Sequence, residues 1–443
     1  MRTRVSSLVA PAGLLAGLLV AAMLGWLAPQ QPVVAVTVAA LVLLLGITAL
    51  HPVAVPLMAL PLLYGAARIS VGATDLSVSD AALGVATLTV LVFSRHPPSP
   101  PLRRLLWLTA VYQTATLFTV IANPYPANAI EWVHAGVLVA GALLLGWTIG
   151  REGYAGLGLK LMLAAAAALA GWVIVVGVLQ YAAGDLRPVY LPLSMHKNFL
   201  GTVLGTTALV AYVRPAWLGL GVRSGMVIFT WLVVAVGFTQ SRQAIVGVGV
   251  ALVVLVLRTR TDRRRSKAVL LAVIPAMLVV LTLVRDQLAS DNIHNSAFSR
   301  LKWFEDSIAI WQTQPITGVG LRWWYTDRFP GGFQPPNAEL EVLTASGILG
   351  LLAFVVLMIG TLLTLWRLPP AYGTLASLVV LSRLTQGQLD IFWVAAQTSI
   401  PFVIAGICLG AHALDESDHR SVDALDDVLA GGRPVPALEG RGP

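Results

Sequence analysis

The sequence predicts an all-α polytopic membrane protein, and three observations support that prediction. Of the 443 residues, 57% are hydrophobic and only 11% are charged, and the mean hydropathy of +0.80 is too high for a soluble domain of this length. The apolar residues form long uninterrupted runs, as membrane-spanning helices require. The 13 Trp and 40 Gly residues fit this class, because Trp anchors at membrane interfaces and Gly permits close helix packing.

Apolar runs of about 15 to 25 residues give about 14 spans, with 12 or 13 as alternatives. The first run follows a basic flank like that of a signal peptide, but its roughly 20 apolar residues exceed a cleavable leader, so we interpret it as a retained span. The run 53–68 contains Pro56, Pro61 and Arg68 and is predicted to be broken or re-entrant. The runs lie at 8–27, 33–50, 53–68, 79–94, 104–122, 131–149, 157–182, 198–213, 224–239, 243–257, 267–284, 338–366, 372–386 and 394–411.

Basic loops predict the orientation of these spans. They fall on one face when the spans alternate, so that face is cytoplasmic. We therefore expect a multi-pass protein of the cytoplasmic (inner) membrane with both termini in the cytoplasm. The net charge of +8 therefore reflects loop topology and predicts no nucleic-acid partner. The outer face receives 69–80, 123–132, 183–198, 239–243, 285–337 and 386–393.

Four regions follow from this topology. Residues 1–284 form an N-terminal multi-span region, 285–337 a large extracytoplasmic loop, 338–411 the C-terminal spans, and 412–443 a polar cytoplasmic tail. The composition of the tail predicts disorder, with a short helix at 421–429 as the alternative.

The single cysteine, Cys408, excludes an internal disulfide and a thiol cluster for zinc. The sequence also lacks a P-loop or a dinucleotide-binding glycine signature. We therefore expect no metal and no cofactor.

Arg242 lies in the polar segment 239–243, between two apolar runs at the outer face. An arginine near hydrocarbon needs an anionic partner or a wet cavity, and the guanidinium group suits a diphosphate. The alternative is an interfacial arginine that reaches the lipid headgroups.

A second polar cluster precedes the run 198–213. His196, Lys197 and Asn198 lead directly into an apolar helix, whose N-terminus favours an anion, and Arg187 lies a few residues before them. The alternative is that Asn198 is only the N-cap and Lys197 an interface anchor.

The large loop predicts an amphipathic helix that ends at Pro315, because apolar residues recur in it at helical spacing. Gly318 and Gly320 then allow close backbone approach, and Arg322 offers a charge to an anion. The flat rings of Trp323, Trp324 and Tyr325 suit stacking on sugars, or else form an interfacial aromatic belt. The apolar residues of the helix are Phe298, Leu301, Phe304, Ile308 and Trp311.

Three stretches, 196–201, 239–248 and 299–354, resemble the O-antigen ligase and O-antigen polymerase family of membrane glycosyltransferases. The resemblance implies a C-type glycosyltransferase-like fold in the lipid bilayer, a polyprenyl-diphosphate-linked glycan donor, and a glycan or glycolipid acceptor. By position, Arg242 matches a family arginine that holds the donor diphosphate, and Arg187, or Lys197 in its place, matches a second one.

The sequence departs from ligase members at one position. A histidine usually stands before the Asn that opens the span after the loop, but Pro336 stands before Asn337 here. Proline cannot accept a proton, so Glu339 or Glu341 becomes the candidate general base. Either carboxylate alternatively favours the helix dipole. His294 precedes the amphipathic helix and does not match the motif.

The resemblance implies metal-independent, inverting transfer of a glycan, and the missing histidine favours a polymerase over a ligase. A transporter or flippase that uses Arg383 and Asp390, which otherwise form an ion pair, and a non-catalytic scaffold are the alternatives. The predicted catalytic residues are Glu339 and Arg242, and the predicted substrate-binding residues are Arg187, His196, Lys197, Asn198, Arg322, Trp323, Trp324 and Asn337.

Overall fold

A computed structural model describes residues 51–258 and 296–429, apart from 72–73, 95, 327 and 330–332, together with scattered positions within 22–50 and 271–282. The predicted spans 8–27, 33–50 and 267–284 lie wholly or mostly outside the described residues, as does His294.

The described part of the chain is helical, apart from one antiparallel β-hairpin of β1 (Arg68–Val71) and β2 (Thr74–Ser77). Wider π-type turns at Val137–Gly141 and Gly150–Tyr154 connect α4 to α5 and α5 to α6. The helices are α1 (Ala54–Leu62), α2 (Val78–Phe93), α3 (Pro100–Ala122), α4 (Pro126–Gly136), α5 (Ala142–Ile149), α6 (Ala155–Ala182), α7 (Lys197–Val213), α8 (Val222–Thr239), α9 (Arg242–Leu257), α10 (Ser296–Thr313), α11 (Ala338–Trp366), α12 (Pro370–Gly387) and α13 (Ala395–Leu429).

Five helical stretches among the described residues are long and apolar enough to cross a membrane, so the protein is an all-α, multi-pass membrane protein. One of them has 57 residues, far more than a single crossing needs. It contains the two predicted spans 131–149 and 157–182, and Gly153, with φ of +85°, interrupts it between them. The count of about 14 spans stays a prediction. The five stretches are Pro100–Ala122, Pro126–Ala182, Val222–Thr239, Ala338–Trp366 and Ala395–Ser421.

The run 53–68 forms only a nine-residue helix, α1, before the chain enters the hairpin. A helix of that length is too short to cross the hydrocarbon layer. The helix ends one residue after Pro61, and Arg68 is the first residue of β1, so the run is broken as its prolines and arginine predicted.

The predicted disordered tail requires a correction, because α13 continues to Leu429. Two features stabilise its extension past 411. Charged pairs lie one turn apart, such as Arg420 with Glu416 at 3.6 Å. Arg151 also donates from Nη1 to Ser417 Oγ at 2.8 Å. Residues 430–443 lie outside the described part of the chain.

Glycines hold α5 and α13 in backbone contact at the centre of the bundle. A Cβ on Gly146 would lie 2.1 Å from the carbonyl oxygen of Val403, and one on Gly406 would lie 2.4 Å from that of Leu143. Gly150 and Gly410 repeat the contact one turn further along. This small-xxx-small pairing lets helix backbones approach each other closely in lipid.

A second glycine contact joins the large loop to a kink in α11. Val319 N donates to Thr344 O at 3.1 Å, and Gly320 N donates to Ala345 O at 3.0 Å. Gly347 breaks the helix there with φ of +66°, and a Cβ on Gly318 would lie 2.4 Å from the Ala345 carbonyl. The predicted close backbone approach of Gly318 is thus made to α11, and it fixes the segment that carries Arg322.

Candidate functional site

The described residues enclose a polar cavity of about 310 Å³, which is within the usual range of small-ligand sites. Five of the segments predicted to face outward contribute to its wall: 69–80, 123–132, 183–198, 285–337 and 386–393. Segments that the basic-loop pattern assigned to one face therefore meet at one site. The polar and aromatic lining includes Arg68, Asp80, Glu131, His134, His196, Asn198, Arg322, Trp324, Tyr325, Asp390, Trp393 and Gln397.

Four of these residues form a chain of alternating charge along one wall. Asp80 Oδ1 lies 2.9 Å from His134 Nε2, and His134 Nδ1 lies 3.3 Å from Glu131 Oε2. Arg322 Nε donates to the same Glu131 oxygen at 2.5 Å. All four side chains are mostly shielded from solvent, with Arg322 the most exposed at 23%. Low exposure strengthens each contact relative to a surface ion pair.

Local helix geometry explains how Asp80, Glu131 and His134 are positioned. Asp80 closes a capping box at the start of α2, because Ser77 N donates to Asp80 Oδ2 at 3.0 Å and Asp80 N donates to Ser77 Oγ at 3.1 Å. This leaves Oδ1 for His134. Glu131 and His134 are three residues apart on α4 and so share one helix face.

Asp390, which also lines the cavity, bonds to side chains at the N-termini of two helices, α7 and α9. Its Oδ2 accepts from Asn198 Nδ2 at 3.1 Å and from Gln243 Nε2 at 2.5 Å. Arg383 instead donates from Nη2 to the carbonyl oxygens of Ile391, at 2.8 Å, and Phe392. The two residues thus have separate hydrogen-bond partners within the described part of the chain, and the ion pair considered from the sequence is not what holds this loop.

Lys197 and Arg242 occupy the first positions of α7 and α9. The two N-termini lie side by side, because a Cβ on Gly201 would lie only 2.3 Å from Ser241 Cβ. Gln240 makes the tight turn before Arg242 with φ of +49°. Neither cation lines the 310 Å³ cavity, but each is next in sequence to a residue that lines it or bonds to Asp390.

His196, Asn198, Arg322 and Trp324 are the predicted substrate-binding residues that line the cavity. His196, and not Asn198, is the N-cap of α7, because its Nδ1 accepts from Asn198 N at 3.2 Å. Partial burial lowers the pKa of His196, which favours the neutral ring that this acceptor role needs. Asn198 is thereby free to donate to Asp390.

The other predicted residues lie elsewhere. Trp323 is 0% exposed in a small core with Ile310 and Val319, so it is not a surface for sugars. Arg187 is 83% exposed and pairs with Asp185 at 2.8 Å, which lowers the pKa of that carboxyl to about 2.

Two predicted residues lie at the start of α11. Asn337 is the N-cap, since its Oδ1 accepts from Leu340 N at 3.0 Å. Glu339 Oε1 accepts from Gln388 Nε2 at 2.8 Å, and Glu339 is not among the cavity-lining residues. Its catalytic role stays a prediction.

Sequence reasoning did not identify Asp80, Glu131 and His134 as site residues. Two weak signals were present: a Ser-x-x-Asp capping pattern at 77–80, and a Glu-x-x-His pair at the start of an outward-facing helix. Neither pattern shows that the two segments meet.

The fold and the cavity define a multi-pass membrane protein with a polar site built from the loops of one face. Residues 225–355 match the family model described as O-antigen ligase. The match covers α8, α9, α10, the glycine-held loop with Arg322 and the start of α11. It supports the O-antigen ligase family for this chain, and with it an envelope-glycan function of the O-antigen ligase or polymerase type. No curated protein matches the chain.

Proposed function

We propose that the protein transfers a glycan from a polyprenyl-diphosphate-linked donor to a sugar hydroxyl at the outer face of the cytoplasmic membrane. The supporting observation is the polar cavity, which Arg322 and Trp324 of the family-matched region line together with His196 and Asn198 at the start of α7. In this proposal about 14 spans surround the site and both termini are cytoplasmic.

The donor diphosphate binds at the paired N-termini of α7 and α9. Backbone N–H groups and helix dipoles attract anions there, and Lys197 and Arg242 add a positive charge at each first position. Between the two residues considered for the second cation, Lys197 is the better placed, because it opens α7 beside the N-terminus of α9, whereas Arg187 lies on an exposed loop. Negative charge that develops on the departing diphosphate is stabilised by these donors.

The acceptor sugar occupies the cavity. Trp324 and Tyr325 supply flat surfaces for a sugar ring, and the amides of Asn198 and Gln397 are suited to its hydroxyl groups. The acceptor hydroxyl attacks the anomeric carbon from the side opposite the diphosphate, which inverts the configuration. The transfer requires no metal ion and no cofactor, and a second lipid-linked glycan is the acceptor if the protein is a polymerase.

The test compares Arg242→Ala and Arg242→Lys with wild type. The substrate is lipid-linked glycan extracted from a strain that lacks this gene. We expect Ala to abolish consumption of the glycan and Lys to retain a fraction, because Lys keeps the charge but loses the planar fork. A ladder of product lengths identifies a polymerase, whereas a single added glycan identifies a ligase.

Arg223→Ala is the matched control, because Arg223 is an exposed arginine at the predicted cytoplasmic end of α8. If both Arg242 variants consume the glycan as wild type does, the diphosphate assignment is wrong.

A further inference from the structure

Three carboxylates line the cavity, and they differ in what holds them. Asp80 closes the capping box of α2, and Asp390 joins α7 to α9 through two neutral amides. Glu131 is held by two cationic-type side chains, His134 and Arg322. A carboxylate that faces a cavity and is fixed by such groups has the geometry of a proton acceptor in a group-transfer site.

The carboxylates at the start of α11 have other tasks. Glu341 is 1% exposed; its Oε1 accepts from Gln334 Nε2 at 2.8 Å and its Oε2 accepts from Phe392 N at 2.7 Å. Both of its oxygens therefore fix neighbouring segments. Glu339 bonds to Gln388 and lies outside the cavity lining. Neither carboxylate lines the 310 Å³ cavity.

Glu131 has a place in the cavity wall that the carboxylates of α11 do not have. It lines both the 310 Å³ cavity and a smaller one of about 20 Å³ beneath it, whose wall includes Glu341 and Tyr112. The titratable and charged groups that face Glu131 are His134 on its own helix, Arg322 from the large loop, Glu341 from α11 and Tyr112 from α3, with Asp80 behind His134.

We propose that Glu131 is the general base that takes the proton of the acceptor hydroxyl, and that His134 and Arg322 are positioning residues for it. This inference rests on the proposed function. Asp80 and Glu131 contact the two ring nitrogens of His134, and Arg322 donates from its Nε to the Glu131 carboxylate. The base is thus held by one contact from its own helix and one from the large loop, and α2 holds His134 in turn, which is the kind of support that a catalytic group requires.

The proposed transfer breaks two bonds and forms two, with a proton and an electron pair each having a destination. The acceptor O–H bond breaks and its proton passes to the Glu131 carboxylate. The acceptor oxygen forms a bond to the anomeric carbon, and the bond from that carbon to the phosphate oxygen breaks. The electron pair of that bond leaves with the polyprenyl diphosphate at Lys197 and Arg242. Glu131 then releases the proton to water in the cavity.

The test measures two quantities on purified full-length protein in lipid nanodiscs. One is the consumption of lipid-linked glycan extracted from the deletion strain, and the other is the binding of undecaprenyl diphosphate. We expect Glu131→Gln to lower glycan consumption about 100-fold or more and to leave undecaprenyl diphosphate binding within about twofold of wild type. Glu131→Asp, which keeps the charge but withdraws it by one methylene, is expected to lower consumption about 10-fold with the same binding.

Two further variants complete the test. Glu339→Gln tests the base predicted from the sequence: loss of consumption in this variant, with consumption kept in the Glu131 variants, would identify Glu339 as the base. Glu152→Gln is the matched control. Glu152 also contacts a histidine, His96, at 3.3 Å, but this pair lies away from the cavity.

The inference is overturned if Glu131→Gln and Glu131→Asp both consume the glycan within about threefold of wild type, or if Glu339→Gln is the variant that loses consumption. Parallel loss of undecaprenyl diphosphate binding in both Glu131 variants also overturns it, because Glu131 would then support the donor site. Failure of the proposed function gives a different result: wild-type protein itself consumes no glycan.

Discussion

The two walls of the cavity are built by different means. On the side of α7 the cavity is lined by His196 and Asn198. Behind them α9 packs against α7 through Gly201 and Ser241, and Lys197 and Arg242 lie at the first positions of the two helices, next to the lining. The wall at the hairpin and α4 comes from side chains that meet across 54 and 191 residues of sequence, Asp80 with His134 and Glu131 with Arg322. Sequence motifs indicate the residues of the first wall, whereas no spacing in the sequence shows that the segments of the second wall meet.

This difference shows what spacing in a sequence reports. Glycine patterns record where two backbones touch, and such contacts recur along a helix at fixed intervals. Convergence of side chains from distant segments depends on the packing of the whole bundle, so it leaves no local pattern. The glycine-rich stretch 315–320 serves the second wall, because its backbone is held by α11 and it leads into Arg322, which bonds to Glu131.

Substitution of Gly318 should have the greatest effect, because it breaks the segment that carries Arg322 to the second wall. Gly318→Val places a branched side chain on a residue with φ of +68° against the Ala345 backbone. We expect a loss of about 3 kcal/mol or more of stability, from backbone strain and overpacking together. Thermal unfolding followed by tryptophan fluorescence in detergent measures it.

Gly84→Val is the control for Gly318→Val, because a Cβ at Gly84 meets nothing within 4 Å. Equal melting temperatures for the two variants would show that the loop is not anchored through Gly318.

The second effect tests whether the hairpin wall acts as one unit. Arg322→Ala removes a positioning group of Glu131, and we expect glycan consumption to fall about 10-fold to 100-fold. In the double variant with Glu131→Gln, the losses should be far from additive, because the two side chains are in contact. Additive losses would mean that Arg322 and Glu131 contribute independently.

The third effect separates the two candidate cations of the other wall. Lys197→Ala is expected to weaken undecaprenyl diphosphate binding about 10-fold, the usual size for one charged hydrogen bond. Arg187→Ala is expected to leave it within about twofold, because that side chain is already paired on an exposed loop. The reverse order of the two losses would move the diphosphate site to the loop at 184–190.

The smallest effect concerns the capping box behind the hairpin wall. Ser77→Ala removes the cap of α2 and is expected to cost about 1 kcal/mol of stability. It also loosens Asp80, so glycan consumption should fall a few-fold. Ser99→Ala is the matched control, since Ser99 is the N-cap of α3 but makes no side-chain cap bond. A greater loss for Ser99→Ala would contradict this account of the cap.

Much of the fold follows from the sequence because hydrocarbon imposes a simple rule: apolar runs of sufficient length become helices. The amphipathic segment after Asn295 is the helix α10, as its spacing predicted, and Pro315 follows it. The rule fails where helices leave the bilayer. There α13 continues past the last apolar run on charged pairs and the contact of Arg151 with Ser417, which hydropathy does not detect.

The site was predicted less completely than the fold. Arg322, Trp324, His196 and Asn198 were found because they follow motifs or open a helix. Trp323 and Trp324 are adjacent, yet only one of them faces the cavity, and adjacency alone cannot distinguish a buried ring from a lining one. Glu131 was missed because its importance comes from Arg322, which lies far away in sequence.

Release of polyprenyl diphosphate by the purified protein tests whether it transfers a glycan from a lipid-linked donor. Purified protein in lipid nanodiscs, without metal or nucleotide, is given lipid-linked glycan from the deletion strain, and released polyprenyl diphosphate is measured together with product length. The account predicts release of one polyprenyl diphosphate for each glycan transferred, with Arg242→Ala inactive. Intact lipid-linked glycan after incubation with folded wild-type protein would contradict it, and movement of that glycan across a vesicle membrane without cleavage would identify a transporter instead.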